Sequence, residues 1–175
     1  IQPVLLTFYR LVVASIFLFF FCELKKIKFL FLNNKKDLFI IALFGNVIPF
    51  NLISWSELYV DSLVASTLIG TMPLFTFLIS LFFFKESFKK IKILLGLLIG
   101  FLGMYIFVDP QESIHKDLNL YFSLLIILSS IMYAFSATWV KTLKNKSSLE
   151  LAFSSIAVAS FISFLLIIVS IMIQN

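Results

Sequence analysis

"ASTLIGTMPLFTFLISLFFFKES", residues 65–87, is an apolar run long enough to cross a bilayer. It carries a proline, Pro73, in its middle and a Lys-Glu pair, Lys85 and Glu86, at its end. A proline inside a helix removes an amide donor and its ring crowds the preceding turn, which costs about 3 kcal/mol in water. In a membrane, neighbouring helices and hydroxyl side chains can absorb the freed carbonyl. The run therefore reads as a membrane helix kinked at Pro73, three residues after Gly70. The kink either shapes packing or bends the helix beside a cavity. The charged pair marks where the helix leaves the membrane.

Composition extends that reading to the whole chain. Of 175 residues, 61% are hydrophobic and 13% charged, against about 45–50% and about 25% in soluble domains. A soluble globule of this length needs a polar exterior that these residues cannot supply, so the surplus faces lipid. A bilayer core of about 30 Å needs about 20 apolar residues in a helix. Six runs qualify: residues 3–22, 38–58, 63–84, 91–108, 118–140 and 151–173. Strand barrels are excluded, because their spans need only about 9–11 residues and alternate polar with apolar. The expected fold is an all-α integral membrane protein, a polytopic bundle with six transmembrane helices.

The cations are sided. Lys25, Lys26, Lys28, Lys35 and Lys36 follow the first span, Lys85, Lys89, Lys90 and Lys92 the third, and Lys141, Lys144 and Lys146 the fifth. Twelve of the 14 cations thus fall on alternate loops. The positive-inside rule makes those loops cytoplasmic. The net charge of +5 marks orientation, so no nucleic-acid partner is expected; the partners are the lipid bilayer and a small-molecule substrate. Both ends then fall on the outer face, and the first residue is Ile with no basic segment before the first span. The chain is expected to be a piece of a longer one.

One cysteine, Cys22, permits no internal disulfide and no cysteine-based metal site. Catalytic motifs of soluble enzymes do not occur, and His115 lies in the polar connector as a solvated residue. No cofactor or metal is expected. Chemistry rests instead on polar residues within spans. Asn46 and Asn51 need partners in protein or water; they serve either as interhelical glue or as substrate contacts. Asn51 and Trp55 share a helix face, as do Thr67 and Thr71 beside Pro73, and Ser129, Tyr133 and Ser136 in the fifth span. The threonines face a cavity or bond back to their own helix. Arg10 lies about 10 Å inside the first span at helical rise, and Glu57 closes the second. They form a candidate ion pair or proton-coupling pair, unless Arg10 simply snorkels. Gly96, Gly100 and Gly103 share one face of the fourth span, the pattern of a helix-packing seam.

Residues 56–108, with a small-residue run, a mid-helix Pro-Leu-Phe, a terminal Glu and a Gly-rich helix, resemble the EamA-type transporters of the drug/metabolite transporter superfamily. "PVLLTFYRL" (residues 3–11) and "IMYAFSATWVKTL" (residues 131–143) extend the resemblance. It implies ten helices in two inverted five-helix repeats around a central cavity. Residues 1–109 would be a first repeat lacking its first helix, 110–117 a connector, and 118–175 the first two helices of a second repeat. Pro73 would be the kink beside the cavity, and Glu86 a structural anchor at the cytoplasmic end.

Function follows as an expectation: a secondary transporter, an exporter of small metabolites or drugs in a bacterial cytoplasmic membrane, working by alternating access. The alternatives are a non-catalytic membrane assembly subunit and a membrane-embedded enzyme. The latter needs a charged or nucleophilic pair deep in the spans.

Overall fold

The structure, a computed structural model, describes residues 2–26, 35–84, 90–108, 120–143 and 147–174. No strand occurs among them. In chain order the elements are α1 (Pro3–Leu24), α2 (Lys35–Ala42), a π-helical turn (Leu43–Val47), α3 (Ile48–Ser56) and α4 (Ser62–Ile69). There follow α5 (Met72–Phe84), α6 (Lys90–Val108), α7 (Leu120–Thr142) and α8 (Ser148–Gln174). Lys85, Glu86, Lys89, His115, Lys144, Lys146 and the connector 110–117 lie outside the described residues.

Five stretches are long and apolar enough to cross a membrane: Pro3–Leu24, Lys35–Ser56, Ser62–Phe83, Leu120–Thr142 and Ser148–Met172. The fourth expected span is α6, in which Lys92–Gly103 forms a shorter apolar stretch. Local sequence explains the ends. Pro3 and Pro49 occupy the first turns of α1 and α3, where a missing N–H goes unmissed. Asp61 caps α4, its Oδ1 accepting from the Leu63 N–H over 2.8 Å, which gives an acid a role in a tight turn between two spans.

Burial is inverted relative to a soluble protein. Phe82 is 78% exposed and Ile106 76%, whereas the buried polar side chains are all Ser or Thr. The apolar surface suits lipid. Ser129, Ser130, Thr138 and Ser155 bond back to carbonyls of their own helix, as Thr138 does to the Ala134 oxygen at 2.9 Å, whereas the hydroxyls of Thr7, Ser54, Ser56, Ser80, Ser123 and Ser163 are buried without a hydrogen-bond partner.

α7 is the central strut. It packs on span two through α3 and on span three through α4 and α5. On the other flank α1 and α8 pair along their length. The ring pairs Phe8–Phe164, at 6.0 Å, and Phe19–Phe153, at 6.4 Å, show that these two helices run antiparallel. Leu11, Ala42, Val47 and Ala159 join α1, span two and α8 in one core cluster. Leu38, Ile41 and Leu151 form a second, and Val60, Ala65 and Ile126 a third.

Among the described residues nothing packs on the glycine face of α6. A Cβ built on Gly96, Gly100 or Gly103 meets nothing within 4 Å. Sharing a helix face does not decide what that face meets, and α6 makes its main contact with α4.

Candidate functional site

Span three does not pass Pro73 as one bent helix. α4 ends at Ile69, Gly70 and Thr71 form a turn, and α5 restarts at Met72. Pro73 is the second residue of α5, so its missing N–H falls where a helix start needs none. The ladder tightens across the turn, with the Thr71 N–H donating to Leu68 O at 3.1 Å. That carbonyl is the focus of the break. Thr71 Oγ1 donates to it at 2.6 Å, and Ser130 Oγ reaches it from α7 at 3.1 Å.

Span two stays helical but widens mid-course. The Ile48 N–H reaches back five residues to Leu43 O across the π turn. Pro49 follows immediately and has no N–H to continue the ladder. Both asparagines support their own backbone there. Asn46 Nδ2 donates to Ile41 O at 3.3 Å, and Asn51 Nδ2 to Val47 O at 2.8 Å. Because a carbonyl can only accept, each bond fixes its amide's orientation. Asn51 Oδ1 is left buried without a partner.

The break and the widened turn lie against the same unbroken helix. Gly45, inside the π turn, abuts Ser136, and a Cβ on Gly45 would collide with the Ser136 hydroxyl. The contacts at Ser130 and Ser136 are six residues apart on α7, about 9 Å of helical rise. Tyr133 lies between them, its ring 6.0 Å from that of Phe50 in α3. Two of these contacts, Gly45 on Ser136 and Ser130 on Leu68, were not singled out from the sequence. A glycine inside an apolar span was the available signal for the first; an interhelical hydroxyl leaves no sequence trace.

The other expected site residues separate. Ser129 is buried and donates to Leu125 O at 2.9 Å. Thr67 Oγ1 bonds Leu63 O at 2.8 Å, so both threonines take the back-bonded alternative. Trp55 is 44% exposed, its ring 5.9 Å from Phe122, which also stacks on Tyr59 at 4.0 Å. Arg10 and Glu57 are both exposed and form no ion pair with each other. Depth along antiparallel spans allows the pair but does not fix which way each side chain points. At the lysine-rich end, Trp139 Nε1 donates to Asp37 Oδ1 at 3.1 Å, tying α7 to the first turn of α2.

Two clefts flank the break and the widened turn. One of about 430 Å³ is lined by Val4, Val47, Asn51, Leu52, Leu166 and Ser170. The other, about 350 Å³, runs from Pro73 past Thr76 and Ser80 to Lys141. Both are apolar with few polar groups, as small-molecule sites are. Among the described residues no group of His, Cys, Asp or Glu could hold a metal ion.

A sequence model described as the EamA-like transporter family matches residues 1–108. An uncharacterized transporter in the trpA 3' region of Buchnera aphidicola is 38% identical over 88 residues, 50% of this chain and 29% of the relative. An uncharacterized transporter of Archaeoglobus fulgidus is 30% identical over 114 residues, 63% of this chain and 39% of its own length. The uncharacterized transporter YdfC of Bacillus subtilis is 28% identical over 144 residues, 79% of this chain and 46% of its own. The chain thus spans less than half the length of each of these relatives. No solved structure matches it. A multi-pass helical membrane protein with a family match over most of its length, the chain belongs to the EamA-like transporter family.

Proposed function

We propose that this chain is part of a secondary transporter that exports a small metabolite or drug across a bacterial cytoplasmic membrane by alternating access. One observation carries the reading: span three breaks and span two widens mid-course, and both irregularities pack on α7. Secondary transporters bind substrate near the bilayer midplane on discontinuous helices, and move one helical unit against another around that site. An interrupted span can swing its halves separately while an unbroken helix holds the frame. In this reading residues 1–109 belong to one repeat, short of its first helix, and residues 118–175 open a second. On the same reading Asn46, Asn51, Thr71, Pro73, Tyr133 and Ser136 lie at the irregular turns and bound the substrate path, with Thr67 and Ser129 bonded back to their own helices. Glu57, exposed near the acidic end of the bundle, is the acid available for proton coupling, with Arg10 as the cation of the same half of the membrane.

Full-length protein reconstituted in liposomes should exchange a labelled small solute from a panel of amines, amino acids and aromatic metabolites faster than empty liposomes. Pro73→Ala should cut that exchange by about ten-fold or more without abolishing solute binding, because it removes the break and leaves the walls. Exchange no faster than lipid alone across the panel, with folded protein present, would count against transport.

A further inference from the structure

The cleft between α5, α6 and α7 changes character along its length. Met72 and Pro73 close it at the break in span three, and Phe77, Ile93 and Leu97 form an apolar wall. Lys141, in the last turn of α7, stands at its other end. From Pro73 to the end of α5 at Phe84 is eleven residues, about 16 Å of helical rise. That is about half of a 30 Å hydrocarbon core, the depth of one leaflet. Lys141 is exposed and forms no ion pair with a described residue, and the same holds for Lys92, next to Ile93 of the wall. The Thr76 hydroxyl is already committed to Met72 O at 2.9 Å, whereas the buried Ser80 hydroxyl has no partner, so the slot offers an incoming molecule a mostly apolar surface, one buried hydroxyl and a cation. A lysine in a last helical turn has a local use, facing the carbonyl end of its helix. That use does not explain an apolar slot of leaflet depth leading to it between three helices.

We propose that this cleft holds an anionic phospholipid of the leaflet on the lysine-rich side, its acyl chain along Phe77, Ile93 and Leu97 and its phosphate on Lys141. Charge and depth both select this occupant. The leaflet facing the lysine-rich loops is the anionic one, and basic pockets between membrane helices on that side bind acidic head groups. The chain's end would rest against Pro73, so the lipid would brace the break in span three. The proposal stands apart from the transport reading, and its failure leaves that reading untouched.

The test uses the full-length protein in nanodiscs of phosphatidylglycerol or phosphatidylcholine with the same acyl chains. Phosphatidylglycerol should raise the melting temperature, and its retention through delipidation should be readable by native mass spectrometry. Lys141→Gln should lower that retention at least ten-fold, Lys141→Arg should keep it, and Leu97→Trp should lower it by filling the slot with the charge intact. Lys36→Gln, on the same face but on α2, should change nothing. Equal losses for Lys141→Gln and Lys36→Gln would mean a generally basic face and overturn the proposal. So would equal retention of the two lipids. Inorganic phosphate or octanoate stabilising the protein as well as the lipid, and losing that effect in Lys141→Gln, would make the cleft a soluble-anion site and overturn it too.

Discussion

Ser130 of α7 reaches the Leu68 carbonyl over 3.1 Å, at the point where span three breaks. A break in lipid leaves backbone groups that water cannot serve, and here a neighbouring helix serves one of them. Interhelical hydrogen bonds in membranes average about 0.6 kcal/mol and reach about 1.7 kcal/mol. Ser130 Oγ also has Ile126 O of its own helix at 3.2 Å, and its one hydrogen serves one acceptor at a time. Ser130→Ala is therefore expected to cost about 0.6 kcal/mol in a detergent unfolding titration. A cost of zero would mean the hydroxyl stays with Ile126.

Gly45 should be the least replaceable glycine described. A Cβ there would collide with the Ser136 hydroxyl and lie 3.2 Å from Ser136 Cβ. Overpacking of this kind costs about 1–3 kcal/mol. Gly45→Ala should lose that much, and adding Ser136→Gly should restore most of it by vacating the space. Additive losses in the double variant would show that the two residues do not press on each other.

The α6 glycines should behave in the opposite way. With nothing within 4 Å of their Cβ positions, Gly96→Ala and Gly100→Ala should leave the folded yield of this chain unchanged or raise it. Alanine is worth up to about 1 kcal/mol over glycine inside a helix. A sharp fall in yield for either variant would mean that this face is covered after all.

The bond from Trp139 to Asp37 is open to a double-mutant cycle. A hydrogen bond to a charged group contributes about 1.5–3 kcal/mol when buried, and both partners here are only half-buried, so about 1 kcal/mol is expected. Trp139→Phe and Asp37→Ala should each cost about that much, and together little more than either alone. Full additivity in the unfolding titration would show that the bond carries no stability.

The sequence made some of this legible and left the rest dark for identifiable reasons. Composition and run length place the helices, since only lipid accommodates so apolar a surface. Pro73 announces the interruption of span three because its missing donor is a local fact. Partners are not local facts. That Gly96, Gly100 and Gly103 share a face follows from helical period, but which helix comes near that face depends on the bundle. Arg10 and Glu57 sit at compatible depths, yet depth says nothing of rotation. The hydroxyls of Ser129 and Thr67 bond within their own helices, so a polar face in a span does not by itself mark a cavity. The π turn went unread because Pro49 fits the first turn of an ordinary helix as well as a widened one.

The most direct measurement of the alternating-access reading is thiol accessibility at the break. Thr71→Cys in a Cys22→Ala background of the full-length protein places a reporter where α4 gives way to α5. An impermeant thiol reagent applied to oriented vesicles should label it from both faces, and adding a transported solute should shift the two rates in opposite directions. Labelling from one face alone, or two rates that rise and fall together, would contradict a moving break at the centre of this bundle.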